Sequence, residues 1–161
     1  MKLATHDSPV GPISLVSNGE ALVALAFEQR KPIRALDAAK TGGDSVIDRV
    51  RRQLDLYFAG ELTRFDVALA PEGTPFQKRV WAALSAIPYG VTRSYADIAA
   101  TIGAPKAVRA VGGANGRNPI AIIVPCHRVI GASGALTGFA GGVERKRFLL
   151  ALEKGERELA A

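Results

Sequence analysis

The single cysteine of the chain, Cys126, follows the apolar run "IAIIVP" and stands directly before His127 and Arg128. A thiol attacks as its thiolate, and a neighbouring base or cation raises the thiolate fraction. One cysteine allows no internal disulfide, and one cysteine with two histidines is too few soft ligands for an ordinary structural zinc site. Cys126 is therefore either core filling, the commoner fate of a lone cysteine among apolar residues, or a reagent. His127 is likewise a satisfied core group or a base. In "VERKRFLLALEKGE", Glu153 follows Leu149 by four residues, which sets a carboxylate beside the apolar face of Phe148, Leu149 and Leu152. There it can orient His127 as the third member of a nucleophile, base and carboxylate set, or pair at the surface with Arg157 one turn on. Between these segments, "GASGALTGFAGG" is a glycine-rich loop whose backbone can approach a flat ligand. It lacks the Gly-Lys-Ser/Thr of a phosphate loop.

These groups need a frame. Residues 119–124 read as a short buried strand bounded by prolines, with Cys126 emerging at its carboxyl end. Upstream, Thr74-Pro75-Phe76-Gln77 is a capping box that opens a helix with Phe76, Val80, Trp81 and Leu84 on its buried face. Ser94-Tyr95-Ala96-Asp97 opens a second, short helix with Ile98 and Ile102 inward and Gly103 as its stop. Ala104-Pro105 starts a third, "KAVRAVGGANG", and the last two make a helix-turn-helix. Gly112 and Gly113 sit inside that third helix, where each costs roughly 1 kcal/mol relative to alanine. Ala107, Ala110, Gly113 and Ala114 leave it smooth, while Lys106 and Arg109 project. Such a surface suits close helix packing or a tight minor groove, and not a base-reading major-groove helix.

The first part of the chain reads as a β-meander over residues 2–7, 13–17 and 21–28, with an Asn18-Gly19 hairpin signal. A helix capped by Ser45 follows, with Val46, Val50, Leu54, Tyr57 and Phe58 on one face and Gly60 as its stop. "RFDVALA" alternates as a short strand, and "PEG" closes the unit. The expected domains are 1–72 and 73–161.

Composition narrows the function classes. With 161 residues and 48% hydrophobic content, the chain folds into one substantial domain or two small ones sharing a core. No apolar run approaches the roughly 20 residues that span a bilayer, and the first residues do not resemble a signal peptide, so a cytoplasmic protein is expected. The charge is uneven: residues 1–72 carry −1 and residues 73–161 carry +7. Within 73–143, seven Lys and Arg side chains face Asp97 alone. That half is either a solvated basic face or a surface for a polyanion.

"RAVGGANGRNPIAIIV", "PCHRVIG" and "GFAGGVERKRFLLALE" together resemble the 6-O-alkylguanine-DNA alkyltransferases, the suicide DNA-repair methyltransferases. The likeness runs from Phe76 to Glu153; the first half matches in layout more than in motif. It implies a ribonuclease-H-like α/β first domain, with a small antiparallel sheet plus a helix, and a mainly α, winged-helix-like second domain. It implies that Cys126 accepts the alkyl group, that His127 is the base acting through a water, and that Glu153 is the carboxylate behind it. The same resemblance implies that Asn118 ties the helix-turn-helix to the active-site strand, that Arg109 enters the base stack and that Tyr95 crowds the adjacent phosphate to turn the nucleotide out. It implies that Lys106, Ala110, Gly113, Ala114 and Arg117 complete the DNA face. It further implies that the carbonyls of Cys126 and Val129 accept from the guanine amino group, that the amide of Ala140 donates to the alkylated oxygen, and that Phe139, Gly141 and Ala121 line the lesion pocket. The partner so implied is double-stranded DNA containing 6-O-alkylguanine, met by a monomer that can cluster on DNA, without cofactor or metal; His6 is the only soft ligand in the first half.

Three positions depart from the family pattern. Phe139 stands where tyrosine is usual and so lacks its hydroxyl. Ala121 replaces a proline found in some members, which implies weak inhibition by 6-O-benzylguanine. Ala140 replaces a serine found in some members, but the group that matters is the backbone amide. The competing readings are a lesion binder that repairs nothing, which Cys126 argues against, a sequence-reading regulator, and a thiol hydrolase, which would turn over.

Overall fold

Asn18 and Gly19 reverse the chain as their types predict. Gly19 takes φ +94°, a conformation open to glycine, and the Asn18 side chain accepts from the amides of Glu20 and Ala21 at 2.9 and 2.8 Å. The computed structural model, which describes residues 1–28, 33–136, 139 and 141–155, places this turn between strands β2 (Ile13–Ser17) and β3 (Leu22–Phe27). β1 (Lys2–His6) pairs antiparallel with β2, from Lys2 opposite Ser17 to His6 opposite Ile13. The sheet is mixed and not purely antiparallel as expected, because after a short helix, α1 (Arg34–Ala38), the two-residue strand β4 (Lys40–Thr41) joins β1 in parallel. The order is β3-β2-β1-β4.

All six residues of β3 are buried, and its outer edge is where the halves of the chain meet. "RFDVALA" is not a strand: it lends one parallel bridge, Leu69 to Leu22, with backbone bonds at Ala68 and Ala70. A second bridge, Ile120 to Leu25, comes from the far half, with the Leu25 amide on Pro119 O at 2.9 Å and the Ala121 amide on Leu25 O at 3.0 Å. An edge strand left bare is a template for aggregation, and here two segments cover it.

α2 (Ser45–Phe58) starts one residue earlier in capping than expected. Asp44, and not Ser45, accepts from the Ile47 amide, at 2.9 Å; both are good caps, and the extended backbone at Asp44 decides. Ile47, Val50, Leu54 and Tyr57 are buried, Val46 and Phe58 pack at the margin, and Gly60 ends the helix at φ +76°.

The second half is helical. α3 (Pro75–Ser85) has the Thr74/Gln77 capping box, and buries Val80, Trp81 and Leu84. The two-residue strand β5 (Arg93–Ser94) leads into α4 (Tyr95–Thr101), whose Ser94/Asp97 box is closed in both directions. α5 spans Val108–Gly116, later than the expected start at Ala104. Residues 104–107 form a tight turn instead, closed by the Ala107 amide on Ala104 O at 2.9 Å, and Ala107 offers no side chain to cap. The indole of Trp81 donates to Ala114 O at 2.9 Å and pins α5 to α3. A 3₁₀ turn over Cys126–Arg128, strand β6 (Val129–Ile130) paired in parallel with β5, and α6 (Val143–Glu153) complete the order.

One apolar core runs through both halves, from Ile13, Leu15, Leu25 and Leu54 to Val80, Leu84, Val111, Ile120 and Leu149. A smaller cluster lies on the other face of the sheet under α1. Among the described residues no helix is long and apolar enough to cross a membrane.

Candidate active site

Cys126 does not follow a strand. After its one bridge to β3, the chain folds back on itself: the Ile123 amide bonds Ala121 O at 2.8 Å and the Val124 amide bonds Ile120 O at 3.0 Å. Ile122 is driven to φ +70°, a conformation a β-branched residue holds only when its surroundings dictate it. Asn118 holds this loop from inside, accepting from the Ile120 amide at 3.0 Å and donating to Val124 O at 2.8 Å. Apolar runs this short suit a buried strand or a buried turn equally, so the pattern of 119–124 does not separate them.

Cys126 then opens the 3₁₀ turn and is 5% exposed. His127 beside it is fully buried and shares a 2.7 Å hydrogen bond between its Nε2 and Glu153 Oε2. Glu153 is therefore no surface partner for its own helix. Its carboxylate also takes Arg128 Nε on Oε1 at 2.7 Å, Arg128 Nη2 on Oε2 at 3.0 Å and the Tyr57 hydroxyl on Oε2 at 2.6 Å. Arg128 Nη1 donates to Ile87 O at 2.7 Å. Gly90, at φ +77°, passes so close that a Cβ there would lie 3.3 Å from Glu153 O.

Electrostatics follow from this shell. Burial alone would raise the Glu153 carboxyl, but the bonds from His127 and Arg128 and the Arg128 charge outweigh it and bring its pKa down to about 2. Burial lowers His127 below its ordinary value, and Glu153 offsets this only in part. The imidazole is thus neutral. With Nε2 facing a carboxylate it carries its proton there, leaving Nδ1 as the basic atom; Nδ1 is buried and has no protein hydrogen-bond partner among the described residues. Burial pushes the Cys126 thiol up to about 11, against the pull of the Asn118 side chain and the Lys146 charge. The resting pair is a neutral thiol and a neutral imidazole.

Four further contributors complete the site, and of these only Arg128 stood out in the sequence, as a cation beside the thiol. Lys146 on α6 is fully buried and its Nζ donates to Val129 O at 2.5 Å. Lys146, Leu149, Leu150 and Glu153 share helical spacing, and all are buried; that spacing was the available signal. Tyr57 was legible as buried, but its partner lies in the other half of the chain. Arg128 clamps Glu153. Asn115 on α5 is buried, and its Nδ2 lies 3.4 Å from Cys126 O.

The remaining predicted residues divide. Lys106, Arg109, Ala110, Gly113 and Arg117 are exposed along or beside α5, and Tyr95 is half-buried. Ala114 is buried against α3 and does not share the exposed face. The helix glycines do not serve packing inside this chain: a Cβ on Gly113 would meet nothing within 4 Å, and one on Gly112 would only touch the Tyr95 ring at 3.9 Å. Gly141 is different, since a Cβ there would lie 2.6 Å from both the Phe139 and the Phe27 rings, whose centroids are 5.8 Å apart. Ala121 is buried in the loop and Val129 in β6. Ala140 lies outside the described residues. Among the described residues no group of three or more His, Cys, Asp and Glu side chains is placed to hold a metal.

A buried thiol, the neighbouring neutral imidazole and a carboxylate held by five donors, the Gly90 amide on Oε1 at 3.4 Å among them, are the groups of a cysteine nucleophile, set here beside a helix-turn-helix. The chain belongs to the 6-O-methylguanine DNA methyltransferase family: the model of that family's ribonuclease-like domain matches residues 1–71 and that of its DNA binding domain residues 75–155. It is 56% identical over 153 residues to a methylated-DNA--protein-cysteine methyltransferase of Methanosarcina acetivorans, covering 95% of this chain and 98% of that protein. A Mycobacterium bovis protein of the same name is 58% identical over 153 residues, covering 93% of this chain and 90% of that one. The crystal structure of Mycobacterium tuberculosis OGT in complex with DNA superposes with a TM-score of 0.89 at 55% identity, covering 96% of this chain and 94% of that one.

Proposed function

We propose that this protein repairs 6-O-alkylguanine in double-stranded DNA by moving the alkyl group onto Cys126, once per molecule. The observation that carries the reading is the buried His127–Glu153 bond directly after the buried Cys126 in the chain, backed by relatives named for transfer to a protein cysteine. His127 Nδ1 takes the thiol proton through a water. The sulfur attacks the alkyl carbon, the carbon–oxygen bond breaks as the sulfur–carbon bond forms, and the departing guanine anion takes up the proton that His127 gained from the thiol. Glu153 stabilises the imidazolium during the transfer. A thioether has no route back, so the protein is consumed and no cofactor takes part.

The alkyl group lies inside the base stack, so the nucleotide must turn out of the helix to reach a buried sulfur. Arg109 fills the space it leaves and Tyr95 presses on the adjoining phosphate. The absence of any packing demand at Gly113 supports α5 as a minor-groove helix, with Lys106, Ala110 and Arg117 beside it. Asn118 holds the reactive loop. Val129 and Cys126 offer carbonyls to the guanine amino group, Ala140 its amide to the oxygen, and Phe139, Gly141 and Ala121 form the wall. The same reading divides the chain into a support unit, 1–72, and a winged-helix-like unit, 73–161, acting as a cytoplasmic monomer.

The test is intact-protein mass spectrometry after incubation with a duplex bearing one 6-O-methylguanine. A gain of one methyl group on Cys126, at one per protein and absent in Cys126→Ser, is the expected result. Tight lesion-selective binding without transfer would make this a lesion sensor with an unused thiol.

A further inference from the structure

Among the described residues, the Glu153 carboxylate receives its only bond from the first half of the chain through Tyr57, at the end of α2. We infer that Tyr57 is a positioning residue for alkyl transfer, by which the first half of the protein sets the basicity of His127. The inference rests on the reading of His127 as the base.

Tyr57 and His127 share one oxygen. Both bond Oε2, at 2.6 and 2.7 Å, so negative charge given to the phenol is withheld from the imidazole. The phenol stays protonated, because burial and then the Glu153 charge raise its pKa well above the usual value. Toward the ionised Glu153 carboxylate it therefore acts as the donor. Arg128 grips both carboxylate oxygens at 2.7 and 3.0 Å, which keeps the plane of the carboxylate fixed whether or not Tyr57 donates. Loss of the hydroxyl thus changes the strength of the His127 to Glu153 bond more than its geometry.

The ring has a separate role. It is fully buried between Phe58, Phe65 and Tyr89, with centroids 5.3, 5.4 and 6.2 Å away. Phenylalanine preserves those contacts and removes the donor alone. The charged and titratable groups facing His127 and Glu153 are Cys126 and Arg128 from the reactive turn, Lys146 from α6, Tyr57 from α2 and Tyr89 from the segment before β5. Among the described residues, Tyr57 and His127 are the two neutral donors that share Oε2.

The experiment follows His127 by its ring proton shifts across pH in the full chain, beside the pH profile of methyl transfer. The chain has two histidines, and His6 sits apart on Asp55, so the signals are separable. In Tyr57→Phe the His127 midpoint should rise by about 0.5 to 1 pH unit, the worth of one charged hydrogen bond shared between two donors. The acid limb of the transfer profile should move up with it. Placing 3-fluorotyrosine at position 57, a stronger donor, should move both the other way, and keeps the measurement available if the first variant folds poorly. Lower thermal stability with an unmoved His127 midpoint in either variant would make Tyr57 a packing residue and overturn the inference. A shifted midpoint with no methyl transfer even in the unaltered protein would overturn the proposed repair activity and leave the coupling standing.

Discussion

At Lys146 an ammonium group is carried wholly out of water to reach the carbonyl of Val129, and burial brings its pKa down to about 8. Near neutral pH it remains mainly charged, and its charge favours the thiolate of Cys126. Lys146→Met keeps the length of the stem in the core and removes that charge. The expected result is about tenfold slower methyl transfer at pH 7.5, equivalent to a rise of about one unit in the thiol pKa, with recovery as pH rises. Single-turnover transfer and iodoacetamide reaction of Cys126, both against pH, measure it; matching profiles for variant and parent would show that the cation does not act on sulfur. Glu153 was legible from its spacing to Leu149, since a helix sets residues four apart on one face. Lys146 was not, because "ERKR" reads as a solvated run, and only the outcome of packing decides which of its cations is buried. No local pattern pairs Tyr57 with a carboxylate in the other half of the chain.

α5 combines poor helix chemistry with a defined position. Gly113 is exposed in its interior and a Cβ there would enter open space, so the glycine costs stability without serving the fold. Gly113→Ala should raise stability by up to about 1 kcal/mol, read as a higher melting temperature. It should also weaken duplex binding, because a methyl group would stand where α5 enters the groove. Equal duplex affinity would show that α5 keeps a wider distance from DNA than proposed. Both capping boxes and the Asn18-Gly19 turn were legible because each is decided within four residues. The strand expected over 119–124 and that expected at "RFDVALA" failed for one reason. Each meets only the edge of β3, by a single bridge, and whether an apolar run extends or folds back depends on how many partners its backbone finds there.

The two halves, unlike in charge and in secondary structure, share one core, one sheet edge and one buried carboxylate. That sharing predicts a single unfolding transition and a particular response to acid. Glu153 has a folded pKa of about 2, below the roughly 4.3 of an unfolded glutamate, so the stability it confers is present above pH 4.3 and is lost as pH falls toward 2. His127, lowered in the fold, adds a loss that begins below its unfolded value of about 6.5, since the unfolded chain binds that proton more readily. Urea midpoints should therefore fall as pH is lowered from 6.5, most steeply below 4.3. The loss should register in both halves together: in the fluorescence of Trp81, the single tryptophan, buried on α3, and in hydrogen exchange of the β1 to β3 amides. In Glu153→Gln the drop below pH 4.3 should be shallower, from a lower starting stability, because Arg128 then lacks its charged partner. If the sheet amides kept their midpoint while Trp81 lost its own, the halves would be separate units, and the bonds across β3 and through Tyr57 would be too weak to join them.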